Sequence, residues 1–209
     1  GGDEAIKLII EAFCNHDEDA ILFSPPTFGM YAIDSQVVGA KVLEAPLTDA
    51  FQLDVPKVLD AAKNAKVVFI CSPNNPTGNL MTVADIEAVL TSVSDNTIVV
   101  LDEAYIEFSD RPSFAARLAE FPNLAIIRTL SKAFGVAGIR CGFTIANAEL
   151  IQTLQKVIAP YPIPLPVVEI AEQATNAEGV AYMQKIVEQI NRNKESFIQS
   201  IENLPVVTQ

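Results

Sequence analysis

LAIIRTLSKAFGVAGIRCGFTIA, residues 124–146, sets two short apolar runs, LAIIRT (124–129) and GFTIA (142–146), on either side of a loop rich in small residues. The first run is apolar for four residues without polar alternation, which reads as a strand covered on both faces. The loop holds Ser131, Lys132, Gly135, Gly138 and Arg140, and GVAG permits close backbone approach. A lysine directly behind a buried strand is poorly placed as a solvated charge and well placed to react with an aldehyde. As a nucleophile it needs its neutral form, which desolvation or a nearby cation such as Arg140 would favour. A lone lysine is more often a surface charge, so the company it keeps must decide.

Runs of the same kind recur upstream at AILF (20–23), KVLEA (41–45), VVFI (67–70) and TIVVLD (97–102). Helical spacing appears between them. Residues 3–13 place Ala5, Ile6, Ile9, Ile10 and Phe13 on one side, and residues 83–93 do the same with Ile86, Val89, Leu90 and Val93. Thr82 is the expected N-cap of the second helix, with Asp85 as a weaker stand-in for the glutamate of a capping box. The alternation predicts a layered α/β domain around a largely parallel sheet.

From residue 147 the pattern is helical. A helix over 147–158 ends at APYPIPLP, whose four prolines cannot sit inside a helix, and a second resumes over 166–175. A long helix follows over 178–203, with Val180, Met183, Ile186, Val187, Ile190, Phe197 and Ile201 on its apolar side. VVTQ at 206–209 reads as the beginning of a strand, and GGDEAI stands on the threshold of a helix. Both ends are expected to be cuts inside a longer protein.

Half of the 209 residues are hydrophobic and mean hydropathy is +0.28, a globular composition. Fourteen basic against 26 acidic side chains leave a net charge of −12, with no basic cluster, which argues against broad contact with nucleic acid. Any phosphate must be held by a few placed groups. No stretch approaches the roughly 18 apolar residues of a membrane span, and no basic-then-apolar leader opens the chain, so a cytoplasmic location is expected. Cys14, Cys71 and Cys141 form no metal or redox spacing and read as small buried residues. His16, in NHDED, reads as solvated.

Four further segments bear polar groups where strands end or helices start, and each has an ordinary alternative. SPNNPTG (72–78) would fix the Asn75 amide beside the sheet, or would only punctuate the chain. DEAYIEF (102–108) sets Asp102 directly behind an apolar strand, costly to bury without a partner, or exposed in a loop; Tyr105 would project toward the same space. GGDEAI offers the N–H groups around Gly2 and Asp3 at a helix start, suited to an anion, though many helices begin so. In SPPTFGMY (24–31), Phe28 and Tyr31 would stack on a planar ligand or fill the core.

SPNNPTG, DEAYIEF and RTLSKAFGVAGIR, in this order and with these separations, resemble the pyridoxal-phosphate-dependent aminotransferases of fold type I. The likeness is greatest to the histidinol-phosphate aminotransferase family, and GGDEAI, PPTFGMY and KVIAPYPIP extend it over nearly the whole chain. The resemblance implies a three-layer α/β/α sandwich with a mostly parallel, mixed sheet. Residues 1–176 would be the large domain lacking its N-terminal part, and 177–209 a bridging helix with the start of a small domain. It further implies pyridoxal 5'-phosphate as cofactor, bound as a Schiff base on Lys132, which also shuttles the substrate proton.

By the same resemblance Asp102 pairs with the ring nitrogen, and Asn75 and Tyr105 donate to the ring oxygen. Ser131, Arg140 and the backbone around Gly2 and Asp3 hold the phosphate, and Phe28 stacks on the ring where many relatives have tyrosine. The implied substrates are small molecules, histidinol phosphate and 2-oxoglutarate, turned over by a homodimer in histidine biosynthesis. Threonine-phosphate decarboxylase and aromatic aminotransferase are the alternatives within the fold, and a non-catalytic or truncated domain is the alternative outside it. Substrate-carboxylate groups of the family are expected outside these residues, so the chain alone is expected not to complete a transamination.

Overall fold

β1 (Ala20–Phe23), β2 (Lys41–Glu44), β3 (Val67–Cys71), β4 (Ile98–Asp102), β5 (Leu124–Thr129) and β6 (Gly142–Ala146) form one sheet in the order β2-β1-β3-β4-β5-β6. They are seen in a computed structural model that describes residues 1–202 and 204. The first five strands are mutually parallel and β6 runs antiparallel to β5, so the sheet is mixed as expected. Strand limits differ from the sequence reading by a residue: β2 stops at Glu44, β3 continues to Cys71 and β4 begins at Ile98. The strand expected at 206–209 lies outside the described residues.

Helices cover both faces, which is why the central strands read as unbroken apolar runs. Because side chains alternate along a strand, Val68 and Ile70, Val99 and Leu101, and Leu124 and Ile126 point to one side. There they meet α3 (Val55–Ala62), α4 (Val83–Ser92) and the 3₁₀ segment Phe114–Glu120. Val67, Phe69 and Cys71, Ile98 and Val100, and Ala125 and Ile127 point to the other. That side packs against α1 (Gly2–Phe13), α2 (Met30–Val38) and α5 (Ala148–Val157). Full burial of an aliphatic side chain of this size contributes about 2 kcal/mol.

Local caps follow the sequence. The Thr82 hydroxyl accepts from Asp85 N–H at 3.1 Å and the Asn147 side chain from Leu150 N–H at 2.9 Å. α6 (Leu165–Thr175) starts one residue earlier than expected, because Pro166 falls in its first turn, where a missing N–H costs nothing. α7 (Ala177–Ile201) buries less of its apolar side than expected. Met183 and Val187 pack against Ala133, Phe108 and Phe134, while Ile190 and Phe197 are exposed.

Gly142 is required by a close approach. A Cβ there would lie 2.9 Å from the backbone of both Gly1 and Gly2, so the start of α1 rests directly on the first residue of β6. This contact brings the N-terminal end of α1 to the carboxyl ends of the strands, the side on which open parallel sheets present ligands.

Candidate active site

Asp102 closes β4 in the alternation of Ile98 and Val100, so its carboxylate points to the α1/α2 face. It is 4% exposed. Its Oδ1 accepts from Ala104 N–H at 3.0 Å and its Oδ2 from the Tyr31 hydroxyl at 2.8 Å. Burial pushes its pKa above the usual carboxylate range, opposed by those two hydrogen bonds. Ion pairs among the described residues leave Asp102 out. A buried carboxylate held by neutral donors alone is an unmet demand for a cation.

Beside it a loop clamp fixes Asn75. Asn74 is buried; its amide donates to Pro26 O at 2.9 Å and to Thr77 Oγ1 at 2.7 Å, and its Oδ1 accepts from Thr27 Oγ1 at 2.8 Å. The loops after β1 and β3 are thereby tied together. Asn75 Nδ2 lies 3.5 Å from the Tyr105 hydroxyl, so an amide and a phenol converge on one spot.

The groups suited to an anion come from segments far apart in sequence. The first α1 ladder bond runs from Ala5 N–H to Gly1 O, which leaves the N–H groups of Gly2, Asp3 and Glu4 outside the ladder. Arg140 faces them from a left-handed backbone at φ 52°, an uncommon conformation for a residue with a side chain. Its Nη2 donates to Asp3 Oδ2 at 3.0 Å and its Nη1 to Ala137 O at 3.2 Å. Ser131 uses its backbone N–H on Thr129 Oγ1 at 3.1 Å, which leaves its hydroxyl for another partner.

All nine residues singled out in the sequence line one recess: Gly2, Asp3, Phe28, Asn75, Asp102, Tyr105, Ser131, Lys132 and Arg140. It holds about 70 Å³ and shares Asn75 and Tyr105 with an open cleft of about 810 Å³ that reaches α7. Two expectations are corrected. Lys132 is not withdrawn from water; it is exposed, with Nζ 5.2 Å from the centroid of the Tyr105 ring. Arg140, invoked as a neighbouring cation, is instead paired with Asp3.

Tyr31 is not placed to stack on a ligand, because it is fully buried with its ring stacked on Phe69 at 4.7 Å. Its contact with Asp102 was not foreseen. The three cysteines are buried as expected, and burial pushes the Cys71 thiol up to about 12. Cys71 nonetheless lines the recess.

Glu103 was also missed. It is 1% exposed and turns to the opposite face of the sheet from Asp102. Its carboxylate accepts from Ser113 Oγ at 2.5 Å and Phe114 N–H at 2.9 Å, with Arg128 Nη1 at 3.7 Å. Burial raises its pKa. Its signal in the sequence is the second acid of DEAY, directly behind an apolar strand.

A mostly parallel, mixed sheet between two helical layers, with an acid, an amine and anion-binding groups at its strand ends, is the architecture of fold-type I aminotransferases. The chain belongs to the aminotransferase class I and II family, whose model matches residues 1–209. It is 51% identical over 207 residues to histidinol-phosphate aminotransferase 2 of Mannheimia succiniciproducens, covering 99% of this chain and 59% of that protein. It is 54% identical over 194 residues to the histidinol-phosphate aminotransferase of Vibrio cholerae, covering 93% and 56%. The chain thus spans less than two thirds of the length of these relatives. The crystal structure of the histidinol-phosphate aminotransferase from Clostridium acetobutylicum matches with a TM-score of 0.89 at 25% identity, over all of this chain and 62% of that one.

Proposed function

We propose that the recess holds pyridoxal 5'-phosphate, and that the protein transfers an amino group between histidinol phosphate and 2-oxoglutarate in histidine biosynthesis. The observation that carries this is the convergence of nine residues on one recess around a buried carboxylate that lacks a cation. Relatives about half identical to the chain bear the histidinol-phosphate aminotransferase name, which favours amino transfer over the decarboxylase alternative. In this reading residues 1–176 form the cofactor-binding large domain and 177–209 the bridging helix with the start of a small domain. The working unit is a cytoplasmic homodimer. Among the described residues, no helix is long and apolar enough to cross a membrane.

The donor set fits the group. The Arg140 guanidinium, the Ser131 hydroxyl and the N–H groups of Gly2 and Asp3 would hold its phosphate, with the α1 dipole assisting. Asp102 would meet a protonated ring nitrogen and so gain the cation that its burial demands. The Asn75 amide and Tyr105 phenol would donate to an oxyanion on the ring, and Phe28 would cover a ring face. Lys132 would carry the cofactor covalently through Nζ. Bound there, the cofactor supplies an electron sink for negative charge at the substrate Cα.

The chain's own chemistry is acid–base work at one atom. Once the substrate's amino group had displaced it from the cofactor, Lys132 Nζ, exposed and close to the Tyr105 face, would take a proton from the substrate Cα as free amine and return it as ammonium. Asp102 would keep its charge at the floor of the recess, while Arg140, Ser131 and the α1 N–H groups would keep a bound group from turning. The test is a half-reaction screen on the full-length protein loaded with the cofactor. Conversion with histidinol phosphate and regeneration with 2-oxoglutarate are expected; a preference for threonine phosphate with release of carbon dioxide overturns the assignment.

A further inference from the structure

Tyr31 is the one aromatic residue of SPPTFGMY that cannot meet a ligand, yet it touches the part of the recess that most needs support. α2 begins at Met30, so Tyr31 sits in its first turn, and Ser35 Oγ donates to Tyr31 O at 2.8 Å, one turn on. The ring is clamped on three sides. It stacks on Phe69 at 4.7 Å with 13° between planes, meets Phe28 edge-on at 5.8 Å and 85°, and lies tilted against Phe23 at 6.1 Å. Phe69 is on β3, next to β4, and on the same face as Asp102. The hydroxyl is thereby aimed at the ends of β3 and β4, where Asp102 Oδ2 lies 2.8 Å away and the Cys71 thiol, kept neutral by burial, stands beside it.

We propose that Tyr31 is a positioning residue: its hydroxyl holds the Asp102 carboxylate ionised and in one rotation for a cationic ring nitrogen, and its ring sets the Phe28 wall by edge contact. The inference rests on the reading of the recess as a cofactor site. A carboxylate has two oxygens, and the chain assigns one neutral donor to each, Ala104 N–H to Oδ1 and Tyr31 to Oδ2. Neutral donors stabilise the anion without neutralising it, so its charge stays available to a third party. An arginine in the place of Tyr31 would satisfy the acid and silence it. The phenol is itself kept protonated, because burial and the Asp102 charge push its pKa well above the ordinary tyrosine value. Asp3 and Lys132 are the other charged groups acting on Asp102.

The experiment uses the full-length protein, titrated with pyridoxal 5'-phosphate and followed by the visible absorption of the lysine-bound cofactor against pH. Tyr31→Phe keeps the ring and removes the hydroxyl. It is expected to weaken cofactor binding by about fivefold or more, and to move the pH midpoint of the absorption in the direction that Asp102→Ala moves it, but less far. In the Asp102→Ala background Tyr31→Phe is expected to change neither quantity by more than about twofold, since distant effects would add and coupled ones do not. A Tyr31→Phe protein with wild-type affinity and midpoint overturns the proposal, as does an equal shift in both backgrounds. If Tyr31→Phe does not fold, Tyr31→Phe/Asp102→Asn decides: recovery of the fold shows that the hydroxyl serves the carboxylate, and failure to recover shows that it does not. A wild type without the absorption overturns the cofactor reading itself, and with it this one.

Discussion

The floor of the recess and its rim are built on different principles. Asp102, Tyr31 and Asn74 are buried and held by side-chain and backbone hydrogen bonds, whereas Lys132 and Arg140 are exposed and held by a ring face and a surface ion pair. Buried bonds are strengthened by their surroundings, and leaving one partner alone there is expensive. Exposed pairs between mobile side chains are worth little. The floor is therefore fixed before anything binds, while the rim is free to rearrange around a ligand. Groups that must keep one orientation belong to the first kind, and groups that must move a proton or close on an anion to the second.

Lys132→Ala removes the amine from the rim and is expected to lower turnover by roughly 10³- to 10⁴-fold, with loss of visible cofactor absorption and an unchanged melting temperature. A large drop in melting temperature would erase the distinction between rim and floor. Glu103→Ala does the reverse. It strands the Phe114 N–H and the Ser113 hydroxyl, while Arg128 keeps its closer pair with Glu107, and is expected to cost about 3 kcal/mol in urea unfolding. Arg140→Ala should weaken cofactor binding about 10- to 100-fold, the worth of a charge-assisted pair of bonds. Binding by the wild type should weaken with salt as well.

Asp102→Asn sharpens the contrast through pH. The folded-state pKa of Asp102 is raised, so between the ordinary carboxylate value and the raised one the folded chain holds a proton that the unfolded chain lacks. Stability from this group is thus greater at low pH and is lost as pH rises through the folded pKa. Without cofactor, Asp102→Asn is expected to stabilise the fold at neutral pH by an amount on the order of 1 kcal/mol, a gain that shrinks on acidification. A gain independent of pH would sink this account. Asp3→Asn gives the smallest effect, below about 0.5 kcal/mol, because both partners of its ion pair are exposed.

What could be read in the sequence tracks this division only in part. The strands were legible because burial on both faces leaves unbroken apolar runs, and Asp102 was legible as the abrupt acid that ends one of them. Tyr31 was not. Whether that ring faces a ligand or the sheet depends on how α2 packs, a tertiary fact that MYAIDSQVV does not encode by period alone. Lys132 was read as desolvated from the strand before it, but the loop carries it past the sheet edge into the open. α2 and α3 leave no clear mark between the strands for a similar reason. Each runs only two to three turns, too short for periodicity to stand out.

The contact of Gly142 with Gly1 and Gly2 joins residues that leave the ribosome far apart in time. Arg140 and Asp3, its nearest ion pair, are separated by 137 positions. The proposed phosphate cradle therefore cannot exist in a nascent chain until β6 has emerged and paired, when the rest of the sheet has already been made. Contacts of such long range form late and close large loops. A ligand bound there would select the finished sheet over every partial one and stabilise the domain as a whole by mass action, so that occupancy of the cradle doubles as a seal on completed folding.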